Sequence, residues 1–146
     1  MHHVWLIMAI GFSYALASVP FGYIVGKLWK GVDVQTKGSG NIGATNVLRV
    51  LGWGPALVVL FCDLGKGALS VSLGNIAYGT WGAALCGIAA AFGGTHSAFL
   101  RLRGGKGIGV GAGIIIITMP VVAAVLAPIW VVVVWLTRYV SLGSVI

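Results

Sequence analysis

The sequence predicts an all-α protein, a polytopic bundle of transmembrane helices with about five spans and the start of a sixth. Hydrophobic residues make up 59% of the 146 residues and charged residues only 8%, whereas soluble domains carry about 25% charged residues. The apolar runs are continuous rather than alternating, which favours helices over the strands of a membrane barrel. A chain of this length is expected to form one domain, residues 1–146.

The charge balance favours a membrane protein over a nucleic-acid-binding one. Nine Lys and Arg residues stand against two aspartates, which gives a net charge of +7. In a hydrophobic chain such an excess is typical of positively charged cytoplasmic loops, so no nucleic-acid partner is expected. Cys62 and Cys86 both lie inside apolar runs, without the spacing of a disulfide framework or a metal site. No metal and no other cofactor is therefore expected.

Four apolar stretches are long enough for membrane helices, which need about 20 residues each. They are residues 4–26, residues near 53–74, residues near 81–99 and residues 107–137. The last stretch contains Pro120 and Pro128 and is long for one helix in a bilayer of about 30 Å. Two short helices that turn near Met119 and Pro120 are preferred, with one tilted helix as the alternative. A signal peptide over residues 1–18 is disfavoured because no basic segment precedes the apolar run.

The basic residues of the loops indicate an orientation in the membrane. They are Lys27, Lys30, Lys37 and Arg49 in the first loop, and Arg101, Arg103 and Lys106 in the third. The turn between them, Asn75 to Thr80, has none. With five spans, all basic loops lie on one face, which the positive-inside rule makes cytoplasmic. We therefore expect a multi-pass protein of the inner cell membrane with its N-terminus outside.

The first loop contains a polar segment, residues 38–49, that is typical of a phosphate site. Ser39 is predicted to be the N-cap of a helix over residues 41–51. One face of that helix would carry Asn41, Thr45 and Arg49. The segment is therefore predicted to bind an oxyanion through flexible glycines, free N–H groups at a helix N-terminus, hydroxyl groups and an arginine. A capped interfacial helix with a solvated polar face is the alternative.

Three further features carry charge or a titratable group. The third loop, Arg101 to Gly107, is rich in cations and glycines but lacks the P-loop spacing, and an anchor for lipid head groups is the alternative. Asp63 and Lys66 lie in an apolar span, where a charge costs about 2.5–3.5 kcal/mol. At i, i+3 they can pair, either as the lining of a site or as a structural lock. His96 has no acidic partner at a suitable spacing, so an interfacial role is preferred over that of a general base.

Four motifs occur in a fixed order along the chain. They are Ser39-Gly-Asn-Ile-Gly-Ala-Thr-Asn-Val-Leu-Arg49, Asp63-x-x-Lys-Gly67, Phe99-Leu-x-x-x-Gly-Gly-Lys-Gly107 and Arg138-Tyr-Val-Ser-Leu-x-Ser144. Together they resemble the acyl-phosphate-dependent glycerol-3-phosphate acyltransferases of bacterial inner membranes. The resemblance implies a membrane enzyme of phospholipid synthesis, without a cofactor, that works among membrane lipids. Such an enzyme moves an acyl group from acyl-phosphate to glycerol 3-phosphate and forms 1-acyl-glycerol 3-phosphate, or lysophosphatidic acid.

The resemblance also implies which residues form the site. The expected catalytic residues are Ser39, Arg49, Lys106 and Ser141. The residues expected to bind the substrates and their phosphates are Gly38, Gly40, Asn41, Gly43, Thr45, Asn46, Gly104, Gly105, Gly107, Asp63 and Lys66. Our hypothesis for their roles is that Arg49 and Lys106 neutralise phosphoryl oxygens, while Asn41, Thr45 and Asn46 orient them. The phosphate of the donor, rather than a protein carboxylate, would accept the hydroxyl proton.

Three other functions remain open at this point. The family pattern continues with a His-Arg-Glu-Asn motif that this sequence lacks, so an inactive, truncated copy is one alternative. A second is an anion-transporting bundle in which Lys66, Arg49 and Lys106 line a path. A third is a structural subunit that binds anionic lipid. The transporter predicts phosphate flux without acyl transfer, and the structural subunit predicts lipid affinity without turnover.

The predicted orientation can be tested with a phosphatase reporter that is active only outside the cytoplasm. We expect activity when the reporter follows Gly79 and none when it follows Arg103, because the uncharged turn and the basic loop lie on opposite faces. A fusion after Arg49 is the matched control for the cytoplasmic face. Activity from the Arg103 fusion would place Lys106 outside and contradict the topology.

Overall fold

The computed structural model describes residues 2–137. The helices are α1 (His2–Ser18), α2 (Phe21–Lys30), α3 (Ala44–Leu51), α4 (Trp53–Thr95), α5 (Ile108–Thr118) and α6 (Pro120–Thr137), with short 3-10 turns at Val34–Thr36 and Ala98–Leu100. All regular structure in this part of the chain is helical, so the predicted all-α class is confirmed. The motif that begins at Arg138, including Ser141, lies outside the described residues.

The first predicted span is divided into two helices by a break that was not predicted. Pro20 carries no backbone N–H and disfavours a helical conformation at Val19, so α1 ends at Ser18. The N–H of Phe21 then bonds the carbonyl of Val19 at 3.0 Å. We call residues 18–20 the α1–α2 break. The two helices together still form an apolar segment of membrane-spanning length.

The second and third predicted spans form a helical hairpin within α4. The backbone leaves the helical region at Tyr78 (φ −156°, ψ 32°) and Gly79 (φ 59°, ψ −148°), inside the predicted uncharged turn. Gly79 adopts a positive φ, which glycine tolerates without strain. Across the hairpin, a Cβ on either Gly74 or Gly82 would overlap the backbone carbonyl of the other. The two halves of α4 are therefore antiparallel and in direct backbone contact.

The last predicted apolar stretch forms α5 and α6, which meet at a break at Met119 (φ −138°, ψ 64°). The predicted division of this stretch into two helices near Met119 and Pro120 is confirmed. α5 packs along α4, because a Cβ on Gly67 would overlap the carbonyl oxygen of Val110, and one on Gly113 would overlap that of Leu64. Glycines at such contacts let two helix backbones approach closely in a membrane. α6 packs mainly against α5 and exposes most of its side chains.

The apolar side chains form a small core and a broad apolar surface. The core lies beneath the first loop and contains Val25, Val34, Ile42, Val47, Leu51, Ala56 and Val59. The surface includes Trp5, Phe61, Ile76, Trp81 and Ile88, each of which is more than half exposed. A surface of this kind suits lipid tails, which are as apolar as the side chains themselves.

Replacement of Gly74 by alanine should destabilise the hairpin. The new Cβ must displace the backbone at Gly82, and overpacking of this kind costs about 1–3 kcal/mol. Gly65→Ala is the matched control, since Gly65 lies in the same helix and a Cβ there meets nothing within 4 Å. The control should be neutral or slightly stabilising because alanine favours helix. Thermal unfolding in detergent measures the stability of both variants. Equal unfolding midpoints for the two would contradict the close contact.

Candidate functional site

The two glycine-rich loops that were predicted to bind phosphate lie side by side. A Cβ on Gly105 would be 3.6 Å from Cγ1 of Ile42 and 3.7 Å from Oδ1 of Asn41. Lys106 follows Gly105 directly and is exposed. The third loop therefore brings a cationic residue close to the start of α3, which begins at Ala44.

Glycines give the third loop its path over the end of α4. The N–H groups of Gly104 and Gly105 donate to the carbonyls of Thr95 and Gly94 at 3.1 and 3.0 Å. A Cβ on Gly104 would overlap these carbonyl groups. Gly107 has a φ of 71° and serves as the N-cap of α5, a conformation that favours glycine. The glycines on both sides of Lys106 thus hold its backbone against α4.

The first loop differs from the prediction in where α3 begins. Its N-cap is Gly43, not Ser39, so the prediction of a helix from residue 41 was wrong. Oδ1 of Asn41 accepts a hydrogen bond from the N–H of Gly43 at 2.8 Å, a local turn that competes with helix formation. Asn41 therefore leaves the predicted polar face. Thr45 and Arg49 remain on it, one turn apart.

Asn46 organises the first loop from inside. Its side chain is 2% exposed. Nδ2 donates to the carbonyls of Val34, Lys37 and Asn41 at 3.0, 3.1 and 2.8 Å, and Oδ1 accepts from the N–H of Ser39 at 2.8 Å. Both donor hydrogens are used by the loop, and its oxygen faces the backbone. The geometry therefore supports a loop-shaping role for Asn46 rather than the expected contact with a phosphoryl group.

Unsatisfied donors surround the start of α3. The N–H groups of Ala44 and Thr45 meet no acceptor within residues 2–137, as expected in the first turn of a helix. The hydroxyls of Ser39 and Thr45 also make no hydrogen bond within the described residues. Arg49 is exposed, and helical side chains lean toward the N-terminus, here toward Thr45. A phosphate group could be bound here by the free amides and hydroxyls together with Arg49 and the nearby Lys106.

Asp63 and Lys66 form an ion pair inside α4. Nζ of Lys66 lies 2.9 Å from Oδ1 of Asp63, so the predicted pairing is confirmed. The same Nζ donates to the carbonyl of Val19 and lies 4.8 Å from the ring centroid of Phe21. Lys66 is only 5% exposed. These contacts support the structural lock, rather than the lining of a substrate site, as the role of the pair.

His96 lies near the third loop without the partners of a general base. Its ring stacks on Phe92 at 4.6 Å, and Nδ1 lies 3.0 Å from Oγ1 of Thr95. No carboxylate orients the ring in the described part of the chain, which supports the interfacial interpretation. Over the same residues, no group of three His, Cys, Asp or Glu side chains is placed to hold a metal ion.

Ser97 is a buried residue that was not predicted to matter. Its hydroxyl donates to the carbonyl of Ser18 in the α1–α2 break, and its side chain is 1% exposed. Neither hydropathy nor spacing distinguishes it from other serines. The relevant signal was Pro20, because a proline ends the helix before it, and the carbonyls of the last helical turn then need donors from elsewhere.

The fold and site define a helical membrane protein with two cationic, glycine-rich loops beside a helix N-terminus. Residues 7–146 match the model of the glycerol-3-phosphate acyltransferase family. The chain belongs to this family, as its motifs predicted, and is an acyltransferase of phospholipid synthesis.

Relatives and solved structures agree over nearly the whole chain. The glycerol-3-phosphate acyltransferase of Carboxydothermus hydrogenoformans is 43% identical over 141 residues, which are 97% of this chain and 72% of the relative. That of Desulforudis audaxviator is 48% identical over 142 residues, 97% of this chain and 71% of the relative. A crystal structure of PlsY (YgiH), an integral membrane glycerol 3-phosphate acyltransferase in its glycerol 3-phosphate form, matches with a TM-score of 0.89 and 35% identity, covering 95% of this chain and 70% of that one. The predicted membrane bundle is thereby confirmed.

Removal of the Asn46 amide should destabilise the first loop. Asn46→Ala leaves buried carbonyls without a donor and should lower the free energy of unfolding by about 1–3 kcal/mol. Asn46→Asp should be worse, because a carboxylate oxygen would then face three carbonyl oxygens. Thr45→Ala is the control, since its hydroxyl makes no hydrogen bond in the described structure. Thermal unfolding in detergent checks this order of stability among the variants. An Asn46→Asp variant as stable as wild type would refute the prediction.

Proposed function

We propose that this chain transfers an acyl group from an acyl-phosphate to glycerol 3-phosphate and forms 1-acyl-glycerol 3-phosphate. The observation that carries the proposal is the juxtaposition of the two loops at Gly105 and Asn41. It combines the unsatisfied donors at the start of α3 with the exposed Lys106. Both substrates carry a phosphate group, so a site with two cationic loops suits the pair. The PlsY structures in glycerol 3-phosphate and lysophosphatidic acid forms support the acceptor and the product, and the motifs support the donor.

Each loop has its own role in this proposal. Arg49 and Lys106 neutralise phosphoryl oxygens, as charged donors do best. Thr45 and the free amides at the start of α3 orient a phosphate, with the Ser39 hydroxyl at the edge of the same loop. Asn46 keeps this loop in shape from below. Ser141 remains a proposed member of the site.

The reaction is an acyl transfer that balances without a protein base. The 1-hydroxyl oxygen of glycerol 3-phosphate attacks the acyl carbon, and the bond between that carbon and the phosphate oxygen breaks. The departing phosphate takes up the hydroxyl proton and leaves as inorganic phosphate. Arg49 and Lys106 stabilise the negative charge that moves onto the leaving group. An acyl-phosphate is an activated donor, so positioning of the two substrates is the main contribution required of the protein.

The site is proposed to face the cytoplasm from the inner membrane. The first and third loops meet at one end of the bundle, which supports a common side for all the basic loops. Glycerol 3-phosphate would arrive from water, and the acylated product would leave along the apolar surface into membrane lipid. The alternative of an anion path loses support, because Lys66 is buried and bonded to Asp63 and Val19.

Acyl transfer by the purified protein in liposomes tests this function. Labelled glycerol 3-phosphate is supplied with acyl-phosphate or, in parallel, with acyl-CoA. We expect lysophosphatidic acid from acyl-phosphate alone. Lys106→Ala should lower kcat/KM by about 100-fold, the order of loss when one donor to a developing charge is removed. Lys30→Ala, which removes an exposed cation at the end of α2, should change it little.

The controls separate the alternatives. Product from acyl-CoA alone would contradict the proposed donor. Equal losses in the two lysine variants would mean that bulk charge, rather than the site, sets the rate. Wild-type protein that binds anionic liposomes but makes no product from either donor would refute the acyltransferase proposal and favour the structural role.

A further inference from the structure

The α1–α2 break presents the backbone carbonyls of Ser18 and Val19, which receive no i+4 helical hydrogen bond because α1 ends at Ser18. Both receive buried side-chain donors from outside the break. The carbonyl of Ser18 accepts from the hydroxyl of Ser97, and that of Val19 accepts from the ammonium of Lys66. Lys66 and Ser97 are 5% and 1% exposed. Loss of the Ser97 hydroxyl would leave the Ser18 carbonyl without a donor among the described residues, which is unfavourable. The Val19 carbonyl would keep the N–H of Phe21.

Ser97 also begins the turn that leads into the third loop. Its carbonyl accepts hydrogen bonds from the N–H groups of Leu100 and Leu102 at 3.3 and 2.9 Å. Leu102 has a φ of 64°, a conformation that is strained for a residue with a side chain and needs such contacts to persist. Through its hydroxyl and its carbonyl, Ser97 therefore joins the third loop to the α1–α2 break.

α2 joins the same break to the first loop. A Cβ on Gly22, two residues after Pro20, would overlap the carbonyl group of Ile42. Ile42 lies between Asn41 and Gly43, whose hydrogen bond shapes the entry into α3. A shift of the break would therefore move the first loop by direct backbone contact.

We propose that Ser97 is a positioning residue of the acyltransferase. Its hydroxyl bond to Ser18 sets the relative position of the two loops, because the break carries one loop and Ser97 carries the other. This inference rests on the proposed function, in which the two loops bind the phosphates of the substrates. Without the bond, fewer molecules hold both loops in the binding geometry. The apparent KM then rises by the inverse of the competent fraction, while kcat at saturation is retained.

Ser97→Ala tests the proposal against Ser70→Ala. Ser70 is equally buried and its hydroxyl has no hydrogen-bond partner, so the control removes the same atom without a bond. We expect Ser97→Ala to raise KM for glycerol 3-phosphate by up to about fivefold, the limit that a net hydrogen bond of about 1 kcal/mol sets. Its kcat should stay within about twofold, and Ser70→Ala should change neither constant. A purely structural role would reduce the amount of active enzyme, and so the apparent kcat, and leave KM unchanged.

Amide hydrogen exchange of the whole protein in detergent provides a second readout that needs no activity. Ser97→Ala should speed exchange in the first loop, residues 38–46, whereas Ser70→Ala should not. An unchanged KM in Ser97→Ala, or an equal rise in both variants, would overturn the proposal. If wild-type protein makes no product, the proposed function has failed. Hydrogen exchange then tests by itself whether Ser97 couples the two loops. Faster first-loop exchange in Ser97→Ala alone would then support the coupling of the loops, and equal rates would overturn it.

Discussion

A backbone carbonyl without a donor is costly inside a membrane protein, and the end of α1 before Pro20 leaves such carbonyls at Ser18 and Val19. The Val19 carbonyl accepts from the N–H of Phe21, and buried side chains supply the remaining donors to both carbonyls. Lys66 bonds Val19 but brings a charge, which Asp63 neutralises at 2.9 Å. Ser97 bonds Ser18 without a charge. One proline thereby accounts for a buried ion pair and a buried serine that lie on different parts of the chain.

Glycine allows the close helix packing that hydrophobicity alone does not drive in a membrane. Lipid tails are as apolar as leucine, so helices gain little by hiding apolar side chains from them and depend on close packing instead. The chain contains 24 glycines. Gly74 and Gly82 close the α4 hairpin, Gly93 meets the backbone of α1 at Tyr14, and Gly22 meets the first loop. The same lack of a side chain that packs the helices also lets the third loop lie against the first at Gly105.

The sequence predicted those features that depend on composition or on a single residue type. The hairpin turn near Gly79 and the break at Met119 follow from uncharged residues between apolar runs and from proline. The start of α3 was predicted too early, because the Asn41 side chain competes locally for the N–H of Gly43. The α1–α2 break was missed because an average over an apolar run hides one proline. The role of Asn46 depends on carbonyls up to 12 residues away, which no local pattern reveals.

The acidic residues of this chain are few, and those present are engaged within the structure. Only two are present, against nine Lys and Arg. Oδ1 of Asp33 accepts from the N–H of Gln35 at 2.9 Å, and Asp63 is paired with Lys66. In the described residues, neither carboxylate pairs with Arg49 or Lys106, so neither competes with a phosphate for these cations. In the proposed reaction the phosphate of the donor takes the proton, and the contribution of the protein is to hold the two loops, and through them the two substrates, at a fixed separation.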